Sequence, residues 1–238
     1  MPAPRHIVIL TGAGISAESG LGTFRDADGI WSQYNLEDVA TPGGFARDPA
    51  LVHAFYNARR ANMRAAAPNA AHRALARLQR HWPAVRPGGS VTLITQNIDD
   101  LHARAGASEV IAMHGALSRA LCAACAARWE APDTMQATDR CPDCGATATR
   151  PDVVWFGEVP YHMGQIDRAL GRADLFVAIG TSGTVYPAAG FVAEAAAQGA
   201  DTLELNLDPS DSAAIFARHV HGPATVTVPV WVDGLLAA

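Results

Sequence analysis

Residues 6–25, HIVILTGAGISAESGLGTFR, decide the fold of this chain. The apolar, β-branched run at residues 7–10 predicts a strand that is buried on both faces in a parallel sheet. Gly12 and Gly14 follow at once, so we expect a loop that permits close backbone approach and then a helix, a combination that suits a pyrophosphate. Ala17 completes the G-x-G-x-x-[GA] spacing, but this pattern alone is weak evidence, and a turn that binds no ligand is the alternative.

The composition indicates a globular chain, either one large domain or one domain with a smaller insert. Of the 238 residues, 49% are hydrophobic and 17% are charged, which excludes a disordered chain and a coiled coil. The net charge of −5 argues against general binding to the phosphates of nucleic acids. No apolar run approaches the roughly 18 residues of a membrane span, and no cleavable signal precedes the first strand. We therefore expect a cytoplasmic protein without nucleic-acid or membrane partners.

Further apolar runs repeat the pattern of the first strand. They lie at residues 91–95, 110–113, 175–179 and 202–205. Repeated strand and helix units predict an α/β fold with a doubly wound parallel sheet. Four of the strands deliver polar or glycine loops to one edge of that sheet, at Gly12, Gln96, Gly180 and Asn206. Ligands of open α/β sheets bind at this edge.

Two polar segments follow predicted strands and are candidates for chemistry. Gln96, Asn97 and Asp99 have side chains that can bond sugar hydroxyls or an amide, although an aspartate here could simply cap the next helix. His114 ends a strand beside Gly115, which makes it a candidate general base. A structural histidine is the alternative.

Residues 23–31, TFRDADGIW, show no period and mix glycine, aspartate and aromatic side chains. Long irregular loops are usually functional, and Phe24, Arg25 and Trp31 are costly to leave in water. We interpret the stretch as a flap over a ligand, with a plain surface loop as the alternative.

Two helices are predicted next. Asp48 and a following proline open the first one, and Asn69 caps the second. Tyr56 and Arg59 lie three residues apart and share a face of the first helix. Without other information, that pair is more typical of a solvated helix face than of a site.

All four cysteines lie in two C-x-x-C pairs, at Cys122, Cys125, Cys141 and Cys144. Two pairs separated by a hairpin-sized linker converge on one tetrahedral ion, and four thiolates leave no position for water. The spacing predicts a closed, structural zinc site in a metal-stabilised insert, in preference to a redox C-x-x-C.

Together these segments resemble the sirtuins, the NAD-dependent protein deacylases. The resemblance rests on the four cysteines and on GAGISAESG, TFRDADGIW, TQNIDDLH, MHG, VWFGE, GTSGTVYPAAG and LNLDPS, which occur in this order over nearly the whole chain. ATPGGF at residues 40–45 and FYNARR at residues 55–60 further resemble the acyl-pocket pattern of the class III branch.

The resemblance implies a lysine deacylase that consumes NAD and gives nicotinamide, O-acyl-ADP-ribose and free lysine. It implies that His114 acts as a base on the ribose hydroxyls, with Asn97 and Asp99 as the other catalytic residues. It assigns the cofactor to Gly12, Ala13, Gly14, Ser16, Glu18, Phe24, Arg25, Trp31, Gln96, Asn97, Ile98, Asp99, Gly180, Thr181, Ser182, Asn206, Leu207, Asp208 and Ala224. It assigns the acyl-lysine substrate to Ala40, Tyr56 and Arg59 and to Val154, Trp155, Phe156, Gly157 and Glu158, the last five by strand addition. The aromatic run at residues 153–158 is itself expected to be extended.

Arg59 also suits an acyl carboxylate on physical grounds, because its guanidinium is a permanently charged fork. We therefore expect removal of succinyl and malonyl groups as well as acetyl groups, by a monomer acting on acyl-lysine proteins. The expected layout is a discontinuous Rossmann-like domain (1–22, 70–115 and 150–238), a helical insertion (23–69) and a zinc-ribbon module (116–149). NAD-dependent ADP-ribosyl transfer, or a zinc-ribbon adaptor for nucleic acid on an inert body, are the competing functions.

Overall fold

The structure is a computed structural model that describes residues 4–22 and 34–237. The strands are β1 His6–Thr11, β2 Ser90–Thr95, β3 Ile111–Ala112, β4 Gly115–Cys122, β5 Arg128–Glu130, β6 Thr149–Val153, β7 Leu175–Ile179, β8 Asp201–Asn206 and β9 Arg218–His221. The α-helices are α1 Gly14–Ala17, α2 Leu36–Val39, α3 Pro42–Arg47, α4 Pro49–Ala65, α5 Ala70–Val85, α6 Leu101–Arg104, α7 Met163–Leu170, α8 Phe191–Ala197 and α9 Ala224–Leu236. Across these described residues, no helix combines the length and the apolar character that a membrane span requires.

The main sheet has six parallel strands in the order β3-β2-β1-β7-β8-β9. The strand order reverses between β1 and β7, which is the crevice where such sheets bind ligands. Two apolar cores cover the faces of this sheet, one centred on α5 and α9 and the other on α7 and α8. The predicted α/β fold with a doubly wound parallel sheet is confirmed.

A smaller antiparallel sheet, in the order β5-β4-β6, follows β3. A third apolar core joins it to the helices that precede α5. This core contains Phe55 and Tyr56 of α4 together with Trp155, which follows β6. Tyr56 and Trp155, two of the acyl-pocket candidates, thus lie where helix α4 packs against the smaller sheet.

The predicted caps of the two long helices are present. Asp48 accepts a hydrogen bond from the backbone N–H of Leu51 at the start of α4. Asn69 accepts from Ala71 and His72 at the start of α5, and the His72 side chain completes a reciprocal capping box. These local signals were therefore sufficient to place both helix starts.

Two predictions about local structure require correction, and one helix was not predicted. The strand predicted at residues 110–113 pairs only over Ile111–Ala112. The run at residues 154–158 is not extended, because β6 ends at Val153 and Phe156, Gly157 and Glu158 form a turn. Helix α9 was not predicted, since its β-branched residues and internal Pro229 favour other structures. Packing of Val228 and Val232 in the main core outweighs that preference.

Candidate active site

The loops after β1 and β7 meet at the reversal of strand order. The N–H of Gly14 donates to the carbonyl of Gly180 at 2.8 Å. A Cβ on Gly12 would lie 2.8 Å from that carbonyl oxygen, and a Cβ on Gly14 would lie 2.7 Å from the Gly180 Cα. Gly180 itself has a φ of +62°. The glycines are thus required for the two loops to pack on each other, whatever ligand lies above them.

A polar network links the loop after β1 to the loop after β2. The Asn97 side-chain amide donates to the Gly12 carbonyl at 3.1 Å and to Ser16 Oγ at 3.2 Å. Ser16 Oγ donates to Asp99 at 3.0 Å, and the other Asp99 oxygen accepts from the Leu101 N–H. Burial raises the pKa of Asp99, and these hydrogen bonds act in the opposite direction. The structure therefore brings Ser16, Asn97 and Asp99 together.

Two histidines below this network were not assigned from the sequence. His102 Nε2 lies 3.0 Å from Thr11 Oγ1, and His72 Nε2 lies 3.4 Å from Ser16 Oγ. Their ring centroids are 4.8 Å apart. Burial lowers the pKa of His72 to about 4 and the pKa of His102 to about 3, so both rings are neutral at neutral pH. His72 lies on α5 and His102 on α6, and nothing in the sequence indicates that they contact α1 and the end of β1.

Hydrogen bonds fix both the ring and the backbone of His114. Its Nδ1 lies 3.0 Å from the Gln96 carbonyl oxygen, which can only accept, so Nδ1 carries the proton. Its own carbonyl accepts from the Val154 N–H at 2.9 Å. Burial lowers the pKa of His114 and the Gln96 bond partly opposes this. The ring is therefore neutral with an unprotonated Nε2, as a general base requires.

The acyl-pocket candidates form one contiguous group. The Tyr56 hydroxyl oxygen accepts from Trp155 Nε1 at 2.9 Å, so its hydrogen can be donated elsewhere. The Arg59 guanidinium carbon lies 5.9 Å from the centre of the Tyr56 ring. Burial has the largest effect on the pKa of Arg59 and lowers it, while electrostatic interactions with Tyr56 and Asp99 raise it. The carbonyl of Ala40 accepts from the Phe156 N–H at 2.9 Å, which joins this group to the turn after β6.

That turn is fastened by an ion pair that the sequence did not predict. Arg150 donates to both oxygens of Glu158, at 2.7 and 2.9 Å, and its guanidinium carbon lies 3.4 Å from the centre of the Trp155 ring. Burial alone would raise the pKa of Glu158, but the bonds from Arg150 and the Trp155 N–H lower it overall. The N–H groups of Val154, Trp155, Phe156 and Glu158 all donate within the protein. Strand addition by a peptide at this stretch, Gly157 included, stays a prediction.

The other predicted cofactor residues lie mainly along the carboxyl edge of the sheet. Asn206 donates from its side chain to the Thr181 carbonyl at 2.8 Å, which joins the loops after β7 and β8. Ser182 is half-buried in the first of these loops, and Leu207 and Asp208 are exposed in the second. Ala13 lies in the loop after β1, and the Ile98 carbonyl in the loop after β2 accepts from the Leu117 N–H.

Glu18 has a structural partner that the sequence did not indicate. Its carboxylate accepts from the N–H and the hydroxyl of Thr225, next to Ala224 at the start of α9. Phe24, Arg25 and Trp31, the predicted flap residues, lie outside the described residues.

The four cysteines fit a zinc ion. The sulfur atoms all lie within 4.8 Å of one another, and the Cys122–Cys144 and Cys125–Cys141 pairs are each 3.7 Å apart. A tetrahedral zinc with bonds of about 2.3 Å separates its sulfur ligands by about 3.8 Å. Four thiolates complete the coordination, so an ion here would be structural.

Comparison with known proteins agrees with this geometry. The sequence profile of the Sir2 family matches residues 12–187. An NAD-dependent protein deacylase of Caulobacter vibrioides is 57% identical over 232 residues, covering 97% of both chains. One of Escherichia coli K12 is 52% identical over 239 residues, covering 99% of this chain and 84% of that protein. The crystal structure of a Sir2 homologue in complex with NAD has a TM-score of 0.88 and 37% identity, covering 98% of this chain and 90% of that one. The chain therefore belongs to the Sir2 family.

Proposed function

We propose that this chain removes acyl groups from lysine side chains of proteins in an NAD-consuming reaction, and that it accepts succinyl and malonyl groups as well as acetyl groups. The general activity, NAD-dependent protein deacylation, follows from the family and from relatives more than 50% identical over nearly the full length. The Caulobacter and Escherichia relatives are deacylases, so ADP-ribosyl transfer is not favoured. The choice of acyl group is the finer part of the proposal.

The residues at the carboxyl edge of the sheet suit NAD. Bound NAD supplies a ribose carbon that becomes electrophilic when nicotinamide leaves. Amide, hydroxyl and carboxylate groups of Gln96, Asn97, Asp99 and Ser182 are suitable partners for ribose hydroxyls and a carboxamide. His114 Nε2 would take a proton from a ribose hydroxyl, since its Nδ1 is committed to Gln96.

Acyl preference rests on one observation: Arg59 lies beside the ring of Tyr56, which belongs to an apolar core that also contains Ala40. Ala40, which is buried, leaves volume at the pocket for an acyl chain longer than acetyl. A succinyl carboxylate could receive paired hydrogen bonds from the guanidinium and one from the Tyr56 hydroxyl. An acetyl group offers no such acceptor.

A panel of peptides tests the proposal. One peptide sequence carries acetyl-, succinyl-, malonyl- or glutaryl-lysine, and nicotinamide release and free lysine are measured with and without peptide. We expect nicotinamide release to depend on acyl-lysine and kcat/KM to be higher for succinyl and malonyl than for acetyl. Higher kcat/KM for acetyl would refute the preference, and transfer of ADP-ribose to protein without lysine deacylation would refute the activity. We further propose a cytoplasmic monomer, which size-exclusion chromatography with light scattering tests for its oligomeric part.

A further inference from the structure

A second group of metal-ligating side chains lies on the outer strands of the main sheet. Glu204 is on β8, and His219 and His221 are on β9. Glu204 is paired in register with His219, and side chains two residues apart on a strand point to the same face. The parallel pairing therefore aims all three side chains to one side of the sheet.

The three ligand atoms are spaced for an ion. Glu204 Oε2 lies 3.5 Å from His219 Nδ1 and 3.8 Å from His221 Nε2, and all three atoms lie within 4.8 Å of one another. Ordinary hydrogen bonds are shorter, about 2.7–3.2 Å. A tetrahedral zinc with bonds of about 2.0–2.1 Å separates nitrogen and oxygen ligands by about 3.3–3.4 Å. Small rotations of the two exposed imidazoles reach that spacing.

The buried carboxylate of Glu204 gives a second reason to expect a bound cation. Its side chain is 2% exposed, and Oε1 accepts from the Ser210 N–H at 3.3 Å. Oε2, which faces both histidines, is buried and accepts no hydrogen bond within the described part of the chain. A buried carboxylate oxygen without a partner is costly, and a cation at this point would remove that cost.

The surroundings leave room for an ion with an open position. Pro209, Ala213 and Ala214 line a cavity of about 190 Å³ together with the two histidines. Three protein ligands and one position for water are the arrangement of many open zinc sites. Imidazole nitrogens favour zinc and other divalent transition metals over magnesium and calcium.

We propose that Glu204, His219 and His221 form a binding site for a divalent transition-metal ion, separate from the four-cysteine site. The ion would join the ends of β8 and β9. Asn206, a predicted cofactor residue, lies two residues after Glu204 on β8, and its backbone carbonyl accepts from the Gly222 N–H at 2.9 Å. The site thus adjoins the cofactor edge but does not depend on the proposed acyl preference.

The test measures metal binding to the full chain with its cysteine site already loaded with zinc. Zinc is titrated by calorimetry, and metal content is measured by mass spectrometry after removal of excess ion. We expect a second zinc per chain in the wild type and only one in H219A/H221A. E204Q should weaken the second site at least about tenfold, since losing even an outer partner of a ligand costs about 10- to 100-fold. H81A removes an exposed histidine elsewhere, on α5, and should retain two zinc ions.

Cobalt provides a measurement that separates the two sites. Added Co²⁺ should give visible ligand-field bands without the near-ultraviolet thiolate band, and H219A/H221A should lack them. Zinc should also raise the Tm of the wild type and of H81A, but not of the double variant. Equal second-site binding in the wild type and H219A/H221A, or no second zinc in the wild type, would overturn the proposal. If the double variant fails to fold, H221A alone serves, because this ring is exposed.

Discussion

Replacing Arg59 with methionine should separate recognition of the acyl group from catalysis. Arg59→Met keeps the apolar stem and removes the guanidinium that lies over the Tyr56 and Phe55 rings. A succinyl or malonyl group would lose its charged partner, whereas an acetyl group would lose none. The variant therefore tests whether this helix face selects the substrate or only supports the site.

The magnitude follows from the environment of Arg59. Burial lowers its pKa, so its charge is held where water screens it poorly, while interactions with Tyr56 and Asp99 oppose that shift. A charge-assisted contact in such a place contributes about 1.5–3 kcal/mol, net of the contacts that Arg59 makes in the free enzyme. This corresponds to about 10- to 100-fold in binding. Because the contact is present in both the ground state and the transition state, the loss should lie mostly in KM.

The assay compares kcat and KM for succinyl- and acetyl-lysine versions of one peptide. Arg64→Met is the matched control, since Arg64 is exposed on the same helix and pairs with Asp133 on the surface. We expect Arg59→Met to reduce kcat/KM for succinyl-lysine by about 10- to 100-fold and to leave acetyl-lysine activity unchanged or higher. An equal loss for both substrates would make Arg59 a structural support and refute the reasoning.

Three further predictions concern the base, the metal and the buried histidines. His114→Ala should retain NAD binding by calorimetry but lower deacylation by about 10² to 10⁴, and a variant with a third of wild-type turnover would exclude the assigned base. Cys122→Ser should lower zinc content at the cysteine site towards zero and reduce thermal stability, and a full complement of zinc there would contradict this. His72 and His102 have pKa values lowered by burial to about 4 and about 3, so the unfolded chain binds more protons than the folded one below pH 6.5. Stability should therefore fall as pH drops, by about 1.6 kcal/mol per histidine between pH 6.5 and 5, and urea unfolding that shows no change over this window would refute it.

The parts of the fold that local chemistry controls were predictable from the sequence. The sequence pattern predicts a buried strand at residues 175–179 and a helix cap at Asn69, and the structure has both. Both depend on short-range signals, namely a continuous apolar run and a side chain that accepts from the first helical N–H groups. Helix α9 was not predictable in this way, because its contacts with α5 and the sheet come from residues far away in the sequence.

The same distinction applies to the candidate site. The four cysteines carry their spacing in the sequence, and the resemblance to sirtuins singled out His114. Neither signal shows that His102 reaches Thr11 or that Arg150 holds Glu158, since both contacts depend on how separate elements pack. The prediction of an extended run at residues 153–158 was wrong for a related reason: Trp155 and Phe156 favour a strand, but the Arg150–Glu158 pair stabilises a turn.

The contacts around Trp155 give the structural zinc module a physical connection to acyl recognition. Strand β6 begins in the module, where Thr149 pairs with Cys122, and its second residue, Arg150, stacks on Trp155 while it holds Glu158. Trp155 in turn donates to the Tyr56 hydroxyl, the group beside Arg59. A closed zinc site has no chemistry to offer the reaction. An ion there would still help to position the candidate acyl pocket, because the strand that begins beside the cysteines carries the arginine on which the indole rests.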